Sequence, residues 1–300
     1  MPKAPAATDN RLTWFDRTGK PLGTVGGVAK NHLPRISPDG SHIVVPRFDN
    51  QGGSDIFVID VARDVSTRIT SDGGSTLSIW ADGSNIVFVS RRSAPTTELV
   101  ERSVTGDKNA VLLSAPQGMT PTGISADGKY LLLDQGNAKV LALPLSGERT
   151  PIPVVTTVGR SDGVMFAGGA AFSPDGHRVA YYTQDADDAQ VYVTTFPPSG
   201  QRIKLSSPTG YWPQWSKDGK RVIYVTEDWH FMEVSVPVLN GTIRPGRPTE
   251  LFVQRQDTPG WHSFAFDPVK ERFLIPVGAR TSPSEPLTVV LNWMTELTKR

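Results

Sequence analysis

Ala171-Phe172-Ser173-Pro174-Asp175-Gly176, followed by the apolar run Val179-Ala180-Tyr181, recurs along the chain in the same order. Arg35-Ile36-Ser37-Pro38-Asp39-Gly40, Ser78-Ile79-Trp80-Ala81-Asp82-Gly83, Gly123-Ile124-Ser125-Ala126-Asp127-Gly128 and Gln214-Trp215-Ser216-Lys217-Asp218-Gly219 align with it without gaps. Each leads into its own apolar run: Ile43-Val44-Val45, Ile86-Val87-Phe88, Tyr130-Leu131-Leu132 and Val222-Ile223-Tyr224. The aspartates at 39, 82, 127, 175 and 218 stand 43, 45, 48 and 43 residues apart. A worn sixth copy, Phe264-Ala265-Phe266-Asp267-Pro268-Val269 before Phe273-Leu274-Ile275, puts Val269 where the aspartate would be, 51 residues on. A fixed period of this length marks a repeat architecture.

The chemistry of the hexapeptide explains its residues. Proline presets φ at the second turn position, aspartate bonds the turn's own backbone, and glycine accepts the left-handed conformation that closes a short bulged hairpin. The apolar residue three before the aspartate (Ile36, Ile79, Ile124, Phe172, Trp215) is expected between neighbouring sheets. After the hairpin come a third strand, such as Asp55–Asp60 or Gln190–Thr194, and a fourth, such as Thr67–Thr70 or Ile203–Ser206. Four short strands per unit of this length make a propeller blade. The expected fold is therefore all-β, a six-bladed β-propeller of four-stranded antiparallel blades. The repeats fall near 34–70, 77–113, 121–155, 169–206, 212–253 and 262–293, and residues 1–10 read as a disordered leader. The Asp-Gly pairs are turns and carry no functional signal.

A propeller avoids open edges by sewing its last blade from both chain ends. Ser263–Phe266, Phe273–Val277 and Leu287–Trp293 are expected to supply that blade, with Leu12–Val25 completing it from outside. Deleting residues 1–25 should then lower the melting temperature sharply.

Composition narrows the partners. Thirty-one basic and 30 acidic residues give a net charge of +1, with no basic stripe, which argues against nucleic acid. Cysteine is absent, so disulfides and thiolate metal sites are excluded. No apolar run approaches the roughly 18 residues that cross a bilayer, and Met1–Asn10 lacks the apolar stretch of a signal peptide.

The repeat core resembles the carboxy-terminal propeller of TolB and its WD40-like relatives, as in Ser37–Val45 and Phe172–Ala180. The likeness covers about residues 34–277. Leu12–Val25 and Pro286–Trp293 are similar to the ends of propellers attached to bacterial transmembrane Ser/Thr kinases. That resemblance implies an extracytoplasmic, periplasmic sensor or interaction domain. A cytoplasmic location stays open, because no signal peptide is present. The chain departs from the pattern in having neither kinase nor membrane helix: no His-Arg-Asp, Asp-Phe-Gly or Gly-rich phosphate loop occurs. Gly-x-Ser-x-Gly is also absent, and no room remains for an α/β catalytic domain, so a hydrolase triad is not expected.

Five histidines remain. His42 and His177 follow the hairpin turns and fall on the lower face. His32, His230 and His262 fall in loops of the upper face, where a converging trio could hold a metal. They show no paired spacing, so neither metal nor cofactor is expected. Asp185, Asp187 and Asp188 lack a calcium-loop pattern and read as a solvated charge run, and Asn240-Gly241-Thr242 fits a sequon without meaning in a bacterial setting. Aromatics gather on the same upper face: Tyr211, Trp212, Trp229 and Trp261. Arg35 and Gln214 should face the central channel, where Ser78, Gly123, Ala171 and Ala265 are small.

The expected function is a non-catalytic, monomeric binding module. Its ligand, a protein, a peptide or a small anionic ligand, would meet His32, Arg35, Tyr211, Trp212, Gln214, Trp229, His230, Trp261 and His262. The alternatives are a channel-site lyase or hydrolase using the upper-face histidines, and a structural scaffold.

Overall fold

The computed structural model describes residues 8–92, 96–106, 108–116, 119–135, 139–156, 166–185, 188–239, 241–255 and 263–279. The chain begins with β1 (Asn10–Phe15) and β2 (Pro21–Ala29). Blade one follows as β3 (Arg35–Ile36), β4 (His42–Phe48), β5 (Ser54–Asp60) and β6 (Val65–Arg68). Blade two is β7 (Ser75–Trp80), β8 (Asn85–Ser90), β9 (Thr96–Ser103) and β10 (Asn109–Pro116). Blade three is β11 (Met119–Ile124), β12 (Tyr130–Gln135), β13 (Lys139–Pro144) and β14 (Ile152–Thr156). Blade four is β15 (Phe166–Phe172), β16 (Arg178–Asp185), β17 (Asp188–Thr195) and β18 (Arg202–Lys204). Blade five holds β19 (Tyr211–Trp215), β20 (Arg221–Val225) and β21 (His230–Ser235), then a small ribbon of β22 (Val238–Leu239) and β23 (Thr242–Ile243), and last β24 (Thr249–Val253). The chain returns through β25 (Ala265–Asp267) and β26 (Arg272–Gly278). Among the described residues there are six four-stranded antiparallel sheets and no helix. The first strands of successive blades touch one another and ring the axis: β25 with β3, β3 with β7, β7 with β11, β11 with β15, and β15 with β19.

The hairpin turns are built as their residues dictate. Ser173 Oγ, buried, donates to Asp175 Oδ1 at 2.5 Å and accepts the Arg178 N–H at 3.0 Å, while Gly176 takes φ 73°. Ser37, Ser125 and Ser216 repeat this arrangement with Asp39, Asp127 and Asp218. In the worn sixth copy Asp267 stands two residues before Val269, in the serine's place. Fully buried, it accepts the N–H groups of Val269 and Lys270 and the guanidinium of Arg272, each at 3.0 Å.

Among the described residues the core is divided into six clusters, one per blade interface, because alternate side chains of a strand point to opposite faces. Val44 packs with Trp80, Ile86 and Phe88 of blade two. Its neighbours Ile43 and Val45 pack the other way, against Leu12, Trp14 and Leu274 of the closing blade. Ile79 and Val87 meet Leu131 and Leu133; Leu132 and Val140 meet Phe172 and Tyr181; Val191 meets Trp215 and Tyr224; and Ile223 and Phe231 meet Phe264 and Phe273. Of the five apolar residues named from the repeat, Ile79, Phe172 and Trp215 lie buried between sheets and Ile36 packs partly buried at another interface, while Ile124 belongs to none of the described clusters.

The closing blade has the order β2-β1-β26-β25, two strands from each end of the chain. β1 pairs with β26 over its whole length, from Asn10 opposite Gly278 to Phe15 opposite Phe273. The amino-terminal segment therefore supplies the third as well as the fourth strand. Leu287–Trp293, also expected in this blade, lies outside the described residues. Arg272 reinforces the seam by lying 3.6 Å over the Trp14 ring. At the turn end, Arg17 and Arg221 share Glu233 and Glu271, joining the β1–β2 turn to blade five.

Candidate channel site

Antiparallel succession puts the start of every first strand and the end of every second strand on one face, opposite the Asp-Gly turns. On that face the innermost strands share an irregularity. Leu33 (φ 44°), Leu77 (φ 48°), Gly169 (φ 60°) and Trp212 (φ 52°) are left-handed, five or six residues before the turn aspartate position of their blades. Strand register shifts at the last three. Leucine and tryptophan seldom adopt this conformation, so the surrounding contacts must hold it. Leu33 N–H donates to Ser263 Oγ of the closing blade at 3.0 Å, and Trp212 packs on Tyr182 with ring centroids 5.5 Å apart.

The residues expected at the funnel separate into three groups. Arg35, His32, Tyr211 and Trp212 stand on or beside first strands near the axis. Tyr211 lies 5.4 Å from Tyr182, and both it and Trp212 are partly buried against the cores of blades four and five. Trp212 is thus half a core residue, and not the pure rim position that its loop setting implies. Gln214 is occupied in joining blades: its amide donates to the Phe264 carbonyl at 3.2 Å and accepts the Phe266 N–H at 2.8 Å. Trp229 and His230 sit farther out. Trp229 (φ 67°) packs beside Phe231 and Phe252, and His230 Nδ1 meets Glu250 Oε2 on the outermost strand at 2.6 Å. Trp261 and His262 lie outside the described residues. Among the described residues no three metal-ligating side chains converge. Of the acidic trio, Asp188 bonds the Gln190 amide at 2.6 Å, and the other two side chains lie outside the description.

Asp134, at the upper end of β12, completes the inner group and was not among the residues expected there. It is 5% exposed, with Oδ2 accepting the Gly169 N–H at 2.9 Å and Oδ1 without a hydrogen-bond partner among the described residues. Burial pushes its carboxyl up to about 7, against the Gly169 hydrogen bond and the charge of Arg35. Arg35 responds in turn: enclosure pulls its guanidinium down to about 10, opposed by Asp134. It donates to the Pro34 carbonyl at 3.3 Å, and no carboxylate lies within 4.0 Å of it among the described residues. His32 is pulled down to about 4 by burial and then by Arg35, so it is neutral at pH 7, and its ring lies edge-on to Phe48 at 5.6 Å. Ser78 and Thr122, on the first strands of blades two and three, have buried hydroxyls with no partner among the described residues. The sequence signal for Asp134 was slight, a single carboxylate ending the apolar run Tyr130–Leu133.

This geometry and strand order can be set beside known proteins. No protein-family model matches the sequence. A TolB-type protein from Agrobacterium tumefaciens superposes with TM-score 0.61 at 12% identity, over 91% of this chain and 99% of that one. TolB from Acinetobacter baumannii gives 0.56 at 16%, over 83% and 66%. The fold is a TolB-like six-bladed propeller. An oligogalacturonate lyase from Vibrio parahaemolyticus shares it, with TM-score 0.54 at 10% identity over 89% of this chain and 96% of that one. At such identities the likeness speaks for the TolB-like fold alone. No helix among the described residues is long and apolar enough to cross a membrane.

Proposed function

We propose that the chain is a non-catalytic binding propeller, a sensor or interaction module of a bacterial signalling or envelope protein. Its partner, a protein segment or peptide, would be received on the upper face. The observation that carries the reading is the partly exposed aromatic group of Tyr211, Trp212 and Trp229 on that face, which also carries the charged Arg35. Large aromatic and arginine side chains are the usual energetic anchors of interfaces. The opposite face is composed of turns whose residues are already accounted for by backbone demands. The flanks' resemblance to kinase-attached propellers supports an extracytoplasmic setting, a monomer serving as the outward domain of a receptor. Peptides selected from a displayed library on the wild-type protein should lose at least about tenfold in affinity, about 1.4 kcal/mol, when Trp212 and Trp261 are both changed to alanine. Circular dichroism would confirm that the double variant is folded. Full-strength binding by a folded double variant defeats the assignment.

One observation favours a second reading, catalysis in the channel. A buried carboxyl raised to about 7, with one oxygen lacking a hydrogen-bond partner among the described residues, is the kind of group that serves as a general acid or base. In that reading Asp134 replaces the upper-face histidines as the proton carrier. Turnover of a uronate polymer or an ester, abolished by Asp134→Asn, would establish it over the binding role.

A further inference from the structure

We propose that the upper face binds a small quaternary ammonium compound on the rings of Tyr211 and Trp212, with the buried carboxylate of Asp134 one residue behind them. The site shares these two rings with the binding reading above, on which it rests, and fixes the charge and shape of the group they receive.

Gly169 joins the parts. Its N–H donates to Asp134 Oδ2 at 2.9 Å. A Cβ added to the same residue would lie 2.9 Å from Trp212 Cε3 and 3.0 Å from Tyr182 Cε1. The carboxylate and both rings therefore pack on one glycine. Tyr182 extends the group: its ring centroid lies 5.5 Å from that of Trp212 and 5.4 Å from that of Tyr211. The gathering follows from the strands themselves. The first strands of blades four and five both shift register, between Gly168 and Ala171 and between Tyr211 and Gln214. Each shift carries a left-handed residue, Gly169 (φ 60°) in blade four and Trp212 (φ 52°) in blade five. Trp212 lies over Gly169, where a residue without a side chain leaves the indole its place.

Asp134 makes no ion pair within 4.0 Å among the described residues, and its Oδ1 is buried there without a hydrogen-bond donor. A buried carboxylate is costly without a counter-charge. Tyr211 and Trp212 are partly exposed on the upper face. Aromatic faces attract cations, most strongly indole, and a carboxylate close behind them in a water-poor setting adds to that attraction without touching the ligand. Because Oδ1 is sealed from solvent, a primary ammonium would give up water with no carboxylate oxygen to receive its N–H groups. A quaternary ammonium has no N–H to satisfy and meets the rings through its methyl groups. An anion is repelled by Asp134, and an uncharged group of the same shape leaves the carboxylate unanswered.

Three probes of one size separate charge from shape: choline, ethanolamine with the same charge on a primary ammonium, and the uncharged alcohol in which a tert-butyl group replaces trimethylammonium. Isothermal titration calorimetry on the full chain, at constant ionic strength, should show saturable one-to-one binding of choline, at least about tenfold tighter than of either other probe. Asp134→Asn keeps an oxygen for the Gly169 N–H and should weaken choline at least about tenfold, as should Trp212→Ala. Thermal melts show whether the variants are folded; if Asp134→Asn is not, choline against the uncharged alcohol on the wild type makes the same test of charge. Displayed-library peptides measured on the same protein keep two failures apart. Peptides that bind through Trp212 and Trp261 while choline does not bind defeat the ammonium site and leave the binding reading standing. The proposal is overturned if choline does not saturate, if either other probe binds as tightly, or if folded Asp134→Asn protein binds choline unchanged.

Discussion

Asn10 and Asn31 hold each other across the seam: Asn31 Nδ2 donates to Asn10 Oδ1 at 3.0 Å, and Asn10 Nδ2 donates to the Asn31 carbonyl at 3.0 Å. Both are buried, and Arg47 Nε adds a bond to Asn31 Oδ1 at 2.9 Å. The pair ties the first residue of β1, in the closing blade, to the segment leading into blade one. Asn10→Ala would strand buried polar atoms of Asn31, and unfolding by denaturant should show a loss of about 1–3 kcal/mol. Removal of residues 1–25 takes away β1 and most of β2, exposing the edge of β26, and that protein should aggregate or melt far below the parent. An undiminished, monomeric melt of the truncated protein would contradict the seam described above.

The turn serines offer a cleaner test of the repeat chemistry. Ser173→Ala removes the oxygen that accepts the Arg178 N–H and the hydroxyl that holds Asp175. The site is buried, so the cost should be about 1–3 kcal/mol in equilibrium unfolding. Ser199→Ala, in an exposed loop, should fall within about 0.5 kcal/mol of the parent. Equal effects at the two sites would show that the turn serines are only solvated.

Gly169 is where the channel face is tightest. An added Cβ would lie 2.9 Å from Trp212 Cε3 and 3.0 Å from Tyr182 Cε1, on a backbone already at φ 60°. Gly169→Ala should lower stability by more than the roughly 1 kcal/mol of a left-handed penalty alone. It should also disturb the N–H bond to Asp134, visible as a changed response of stability to pH. Full parental stability in the alanine variant would mean that the tryptophan is free to swing away.

The two shifted groups of the channel have opposite signatures. Asp134 holds its proton more tightly folded than unfolded, with its carboxyl raised from 3.8 to about 7. Its contribution is therefore complete below about pH 4 and is lost as the pH rises through about 7. Asp134→Asn should gain on the wild type steadily across that window. His32, lowered from 6.5 to about 4, behaves in reverse: the contribution is present above about 6.5 and is lost as the pH falls toward about 4. His32→Gln should gain on the wild type as the medium is acidified over that range. Parallel stability–pH curves for wild type and either variant would show that the group concerned titrates normally.

Much of this architecture was legible because each blade advertises itself locally. The Ser-Pro-Asp-Gly turn and the alternating run after it depend on contacts within a few residues, so repetition of the letters means repetition of the structure. The seam was harder. Val65–Arg68 and Pro21–Ala29 are both outermost strands, but only long-range pairing says that the second belongs with β26. The sixth turn hid its carboxylate by moving it from the aspartate position to Asp267. At the channel, Arg35 was visible as a charged residue in a column of small ones. Asp134 was not, because its meaning comes from Gly169 and Arg35, on other blades. Trp212 was read as rim because it sits in a loop, whereas its left-handed backbone turns the ring onto Tyr182.

The closing sheet also sets an order on the life of the chain. β1 and β2 leave the ribosome before the other strands of this propeller, yet their partner β26 is among the last described segments to be made. The opening hairpin must therefore wait, with its apolar residues Leu12 and Trp14 uncovered, while five blades assemble behind it. A nascent chain that stops short of β26 cannot complete the ring, and it presents an open strand edge to the cell's chaperones and proteases. Closure thereby distinguishes propellers whose two seam halves have met from those still waiting for β26.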